Sequence, residues 1–166
     1  MEIPIYSNIR EDLELIETFL WDPEKGALDI DLHLERMCKS AKNLKFKFEI
    51  IKIQEKILKI KSQSRLRCRL TLRFDGTINL TTALLSPNSK TWILGISDSI
   101  LSSSDPWLLH KSSNRDLYDA DRANLPDGID EFIYFNERNE VCEGTITNIF
   151  VKIAGQWLTP PLSSGC

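Results

Sequence analysis

The sequence predicts an α+β protein of two domains, and three observations carry that expectation. Between residues 60 and 66 the apolar spacing changes from threes and fours to strict alternation, the change expected between helix and strand. Residues 101–106, LSSSDP, are small and polar and read as a linker, which sets an N-terminal α+β domain at 1–104 and a C-terminal domain at 105–166. Beyond it, short apolar strands bounded by turn residues replace the long helical pattern of the first half.

Taken in order, LELIETFLW (13–21) reads as a largely buried strand, DPEKG as a turn and ALDI as a short return, together a hairpin. Asp31 is placed to cap a helix whose Leu34, Met37, Cys38, Ala41 and Leu44 share one face. A second helix in EIIKIQEKILKIKSQ turns Ile50, Ile53, Ile57 and Ile60 inward, and its lysines make a solvated face. In RLRCRLTLRFDGTINLTTALL, Arg65, Arg67 and Arg69 alternate with Leu66, Cys68, Leu70 and Leu72, and Asp75-Gly76 forms the turn of a second hairpin. TWILGISD is a further strand, 112–123 a helix with Leu117 and Tyr118 as its apolar contacts, and EFIYFNERNEV a strand running into a polar turn. ITNIFVKIAGQWLTP closes the pattern as a hairpin around Ala154-Gly155.

Composition narrows the class of function. With 42% hydrophobic and 27% charged residues the 166-residue chain is ordinary globular material, and a net charge of -3 gives no general attraction to nucleic acid or to an anionic membrane. Any bound anion must be held by a local site. No run approaches the ~20 apolar residues of a membrane helix, and MEIPIYSNIREDLEL lacks the basic start and apolar core of a signal peptide. Cys38, Cys68, Cys142 and Cys166 form no CxxC pair and the chain has only two histidines, so neither a zinc site nor a disulfide framework is expected, and the thiols read as reduced and cytoplasmic.

Two positions carry chemistry. Lys111 follows the apolar run PWLLH and precedes Ser112, Ser113 and Asn114; a lysine at the end of an apolar strand is partly desolvated, which favours the neutral amine that Schiff-base catalysis requires. Glu143 ends a short strand and leads into Gly144, Thr145, Thr147 and Asn148, whose N–H groups and hydroxyls can line a cavity. By spacing alone the second segment is also compatible with a plain polar turn.

HLERMCKSA, HKSSNRDLYDADRA, DEFIYFNERNEVCEGTITNIFV and WLTPPLSSG together resemble, in order, the motifs of the class IV aminotransferases, the pyridoxal phosphate enzymes of fold type IV. The likeness spans residues 13–165. Within the family, LIETFLWDPEKGALDIDLHLERM and TPPLSSG look most like 4-amino-4-deoxychorismate lyase domains.

The resemblance implies a D-amino acid aminotransferase-like fold, with an N-terminal α/β sandwich and a C-terminal β-barrel-like domain. It also implies pyridoxal 5'-phosphate as cofactor: Lys111 would bond to it, Glu143 would pair with the pyridine N–H, and the Arg36 fork would hold its phosphate. Thr147 and Asn148 fall where relatives line the cofactor pocket. Arg69, or failing it Arg67, would meet a substrate carboxylate, and Glu17 would lie on the substrate side. His33 and His110 are expected to pack or hydrogen-bond, since the released lysine moves the proton.

The activity implied is a lyase that converts aminodeoxychorismate to 4-aminobenzoate and pyruvate in folate biosynthesis, with a branched-chain or D-amino acid aminotransferase as the alternative. The substrate is thus a small amine bearing a carboxylate, and a homodimer is the expected assembly, with no metal. Relatives continue past PPLSSG, so the C-terminal domain reads as truncated by about forty residues, near the lower size limit for independent folding. A shortened member without turnover is the remaining expectation.

Overall fold

The computed structural model describes residues 10–86 and 90–165; the leader-free reading of the first residues and the fourth cysteine, Cys166, lie outside them. The chain forms two compact units, Met1–Asn88 with His110–Asn114, and Ser89–Leu109 with Arg115–Cys166.

In the first unit, β1 (Glu14–Asp22) pairs with the two-residue β2 (Gly26–Ala27) on one edge and with β3 (Leu66–Arg73) on the other, and β4 (Ile78–Leu84) completes the order β2-β1-β3-β4. Neighbouring strands are antiparallel. The β3–β4 turn works as its residues suggest: Gly76 takes φ 89° and the Asp75 carboxylate accepts from Thr77 N at 2.8 Å. Register Leu15↔Leu72, Glu17↔Leu70 and Phe19↔Cys68 gives one apolar face, and Ile16↔Thr71, Thr18↔Arg69 and Leu20↔Arg67 give the other. Helix α1 (Ile30–Leu44) packs against β1 with Leu34, Met37, Ala41 and Leu44 buried, each large side chain contributing about 1.5–3 kcal/mol. Helix α2 (Ile50–Leu58) lies beside β4 and buries Ile53 and Ile57.

Three details of α1 and α2 depart from expectation. Asp31 does not cap α1: it lies inside the first turn, and the N-cap is Asp29, which makes no side-chain cap bond. Cys38 is exposed and Ser40 is buried instead. The two flank the 34/37/41/44 stripe on opposite sides, and the inward place goes to the serine, whose hydroxyl meets His110 Nδ1 at 2.9 Å. Ile50 stays largely exposed because it opens the first turn of α2, ahead of the packed Ile53.

In the second unit, β5 (Leu94–Leu101) is parallel to β6 (Glu131–Asn136), with α3 (Asp116–Ala123) in the connection, and β6 is antiparallel to β7 (Val141–Gly144). The hairpin of β8 (Val151–Ile153) and β9 (Gln156–Leu158) turns through Ala154 and Gly155 at φ 49° and 83° and stands as a sheet of its own. The core of this unit is Leu101, Tyr118, Tyr134 and Cys142, with Leu108 against it.

The expected β-barrel-like domain is therefore overturned: among the described residues the fold is α+β with three helices and three sheets, and no sheet closes on itself. Closure needs enough tilted strands to bring the two edges of a sheet together, and sheets of three and two strands leave those edges apart. The apolar strand expected before Lys111 is also absent. Pro106–Leu109 form a 3-10 turn, because Asp105 caps the Trp107 N–H at 2.9 Å and Pro106 favours the turn conformation. Among the described residues no helix is long and apolar enough to cross a membrane.

Candidate active site

In the first unit, Lys111 lies on an extended segment laid along the part of β1's edge that β2 leaves open. Its carbonyl accepts from Ile16 N at 2.8 Å, Ser113 N donates to Glu14 O at 2.8 Å, and Glu14 N donates to Ser113 Oγ at 2.9 Å. Ser112 bridges Leu15 and is buried, its hydroxyl accepting from Asn114 N at 3.2 Å. The two serines after the lysine thus anchor its backbone. This pairing also explains why α3 starts at Asp116 rather than near 112. Because Ser112 sits opposite Leu15, Lys111 sits opposite Ile16 and shares the sheet face of Thr18 and Arg69. Lys111 is half-buried, and Arg69 and Arg67 are exposed.

Glu17 lies on the opposite face, under α1, and is 1% exposed. Arg36 grips it with Nε on Oε1 at 2.8 Å and Nη2 on Oε2 at 2.5 Å, and His33 Nδ1 lies 2.7 Å from Oε2. Burial pushes the Glu17 carboxyl up, but the hydrogen bonds from Arg36 and His33 outweigh it and hold the group below its usual range. His33 and Arg36, three apart on α1, reach the same strand residue. The structure therefore joins Arg36 to Glu17 and places Arg69 on the other side of the sheet, with Lys111.

In the second unit, Glu143 stands one residue before the end of β7, half-buried, and accepts the Tyr118 hydroxyl on Oε1 at 2.7 Å. The next residues wrap around a buried carboxylate that spacing did not mark. Glu131, 1% exposed, accepts from Thr145 N at 2.9 Å, from the Thr145 hydroxyl, from Ile146 N at 3.4 Å and from the Thr147 hydroxyl at 3.2 Å. Arg122 on α3 lies 3.6 Å from the same carboxylate, and Arg115 donates to the Thr145 carbonyl. Thr147 is thus committed to shaping the turn, and Asn148 beside it is exposed.

Residues 14–166 match the family Amino-transferase class IV. A Mesorhizobium loti protein of known structure, assigned as an amino-acid aminotransferase, is 36% identical, with a TM-score of 0.84 over 93% of this chain and 77% of that one. The chain belongs to the class IV aminotransferases. A Schizosaccharomyces pombe protein assigned as an aminodeoxychorismate lyase is 29% identical over 163 residues, 93% of this chain and 69% of that protein. The same fold occurs in a hypothetical aminotransferase from Mycobacterium tuberculosis in its alpha-ketoglutarate- and PMP-bound form, at 15% identity and a TM-score of 0.75 over 99% of this chain and 66% of that one.

For a class IV aminotransferase chain, the residues missed in the sequence are Tyr118, Glu131 and Arg122. Tyr118 had registered only as an apolar contact, and Glu131 only as the start of a strand. Helical spacing puts Tyr118 and Arg122, four apart, on one face of α3, but it does not name the distant residues they meet.

Proposed function

We propose that this chain works as a pyridoxal phosphate-dependent 4-amino-4-deoxychorismate lyase, releasing pyruvate and 4-aminobenzoate from a small amine that bears carboxylates, as a homodimer. The observation that carries the cofactor assignment is the half-buried lysine whose backbone is pinned along β1 through its own carbonyl and the two serines that follow it. A reacting amine has to be held in place, and a strand edge does that better than a loose loop.

Taken one by one, the residues have the chemistry the group would need. Lys111 offers an amine for a carbonyl, Glu143 a carboxylate for a ring N–H, and Arg36 a guanidinium for a phosphate, oriented by its fork on Glu17. When bound, pyridoxal phosphate supplies an electron-withdrawing ring next to the carbon that is to lose a proton. Glu143 would keep that ring protonated at nitrogen. Lys111 Nζ would take the proton from the amine-bearing carbon and could return it elsewhere. Thr147 and Asn148 are assigned to the wall of the cofactor pocket, the first through the turn it builds with Glu131. Arg69, on the sheet face of Lys111, is the proposed partner of a substrate carboxylate, and Glu17 acts through Arg36.

The lyase reading rests on the resemblance of the N-terminal motifs and on the S. pombe relative. A second reading, an amino-acid aminotransferase, is favoured by the M. loti relative. The two share their first steps and part on where Lys111 delivers the proton.

The test has two stages. Borohydride treatment of the chain with pyridoxal phosphate should fix the cofactor to Lys111, found by peptide mapping and absent in Lys111→Ala; no adduct in the folded protein would end the assignment. Incubation with aminodeoxychorismate should then yield 4-aminobenzoate and pyruvate. Amino transfer from an amino acid to a keto acid, without those products, would replace the lyase by the transaminase.

A further inference from the structure

Glu143 is gripped from α3. Tyr118 donates its hydroxyl to Glu143 Oε1 at 2.7 Å, and its ring is 9% exposed. The ring is itself held on two sides. Tyr134 of β6 meets it edge-on, with centroids 5.0 Å apart at 69°, and the Arg115 guanidinium carbon lies 5.0 Å from its centroid.

A second bond set keeps the helix still. Tyr134, fully buried, donates to Asp121 Oδ2 at 2.7 Å, and the Ser97 hydroxyl of β5 donates to the same oxygen at 2.8 Å. Tyr118 and Asp121 are three apart on one face of α3, so the helix is fastened to β5 and β6 through one residue and to β7 through the other. The direction of the Tyr118 hydroxyl is thus set by the whole sheet. Burial, and next the Glu143 charge, push the Tyr118 phenol well above its ordinary range, so it stays a donor at any working pH.

We propose that Tyr118 is a positioning residue for Glu143, its hydroxyl fixing the carboxylate's orientation and favouring the ionised form that leaves the proton on the cofactor's ring nitrogen. The inference rests on the reading that Glu143 meets that nitrogen. A hydrogen bond donated to a carboxylate stabilises the charged form. Without it the carboxylate is more basic and draws the shared proton toward itself, which weakens the ring as an electron acceptor.

Tyr118→Phe removes one oxygen and keeps the ring against Tyr134 and Arg115. Wild type, Tyr118→Phe, Glu143→Gln and the double variant would each be loaded with pyridoxal phosphate labelled with 15N in the ring. In wild type the ring nitrogen should resonate as protonated pyridine. Tyr118→Phe should move it toward the unprotonated position and raise the cofactor's dissociation constant about tenfold, about 1.4 kcal/mol. In the Glu143→Gln background the same change should alter affinity less than about twofold, since the group it acts on is gone.

An unmoved resonance and unchanged affinity in folded Tyr118→Phe, or equal effects in both backgrounds, would overturn the proposal. Tyr134→Phe, which leaves the Tyr118–Glu143 bond intact and Ser97 still on Asp121, should move the resonance less than Tyr118→Phe does. Should Tyr118→Phe not fold, 3-fluorotyrosine at position 118 keeps the shape and strengthens the donor, and must then lower the cofactor's dissociation constant; an unchanged constant would overturn the proposal. A wild-type ring nitrogen found unprotonated, or a cofactor that borohydride does not fix to Lys111, would instead sink the functional reading on which the proposal rests.

Discussion

Arg36 lies fork-on-fork against Glu17, Nε to Oε1 at 2.8 Å and Nη2 to Oε2 at 2.5 Å. The two partners differ sharply in environment: the Arg36 side chain is 46% exposed and that of Glu17 only 1%. The pair is therefore a buried carboxylate held by a half-solvated cation. That asymmetry decides which partner is the more costly to remove.

Arg36→Met leaves Glu17 buried with His33 as its remaining named partner, and should cost about 2–3 kcal/mol of stability. Glu17→Gln returns a half-exposed arginine to water and should cost about 1 kcal/mol. Urea denaturation of the two variants checks the order. A milder loss for Arg36→Met than for Glu17→Gln would show that the carboxylate, not the cation, is the partner that tolerates isolation.

The same pair makes stability depend on acid. The folded-state Glu17 carboxyl is held below its ordinary value of 4.5. A depressed carboxylate contributes stability that is fully present above the unfolded-state value and is lost as pH falls through the folded one. In that window the unfolded chain binds the extra proton, so stability rises with pH. The melting temperature of wild type should fall on acidification below 4.5, and Glu17→Gln should flatten part of that slope. Identical acid limbs in the two proteins would remove Glu17 from the account.

The turn after Glu143 is built around Glu131, and Gly144 is the point where it can be broken. A Cβ on Gly144 would lie 2.5 Å from Thr147 Oγ1 and 3.1 Å from Glu131 Cδ. Gly144→Ala must therefore push Thr147 off the buried carboxylate. Glu131→Gln turns an acceptor oxygen into a donor facing donors, at about 1–3 kcal/mol. Both variants should speed hydrogen exchange at Thr145 N and Ile146 N, the two amides that Glu131 accepts. Protection equal to wild type in Glu131→Gln would mean the backbone alone holds the turn.

What was legible in the sequence follows from the range of the interactions. β1, α1 and the β3–β4 hairpin announce themselves through local period and an Asp-Gly turn, and the structure has them where the pattern put them. Local patterns failed where a distant segment competes. Residues 112–115 fit a helical pattern, but Ser112 and Ser113 pair along β1, nearly a hundred positions away in sequence, and the helix starts only at Asp116. The barrel was implied by the family's motifs and by nothing in the strand count. In the candidate site, Lys111, Arg36 and Glu143 stood out through their motifs. Tyr118 and Glu131 did not, because Tyr118 joins Glu143 across 25 positions and Glu131 joins Thr145 across 14. No period of 2 or 3.6 encodes such a contact.

Glu143 itself offers the sharpest separation of binding from chemistry. If its carboxylate serves to keep the ring nitrogen protonated, its removal should spare the covalent attachment at Lys111, which depends on the amine and on the backbone pinned along β1. Glu143→Ala should still be fixed to the cofactor by borohydride, while turnover falls by about 10²–10³-fold, the scale expected for losing one charge-stabilising group at a reacting centre. The fall should appear in kcat more than in KM, because the charge develops after the substrate is bound. Deuterium at the amine-bearing carbon should then show a larger isotope effect than in wild type, since proton removal becomes the slow step. Near-normal kcat in Glu143→Ala would place the ring's charge control elsewhere, and with it the role assigned to Tyr118.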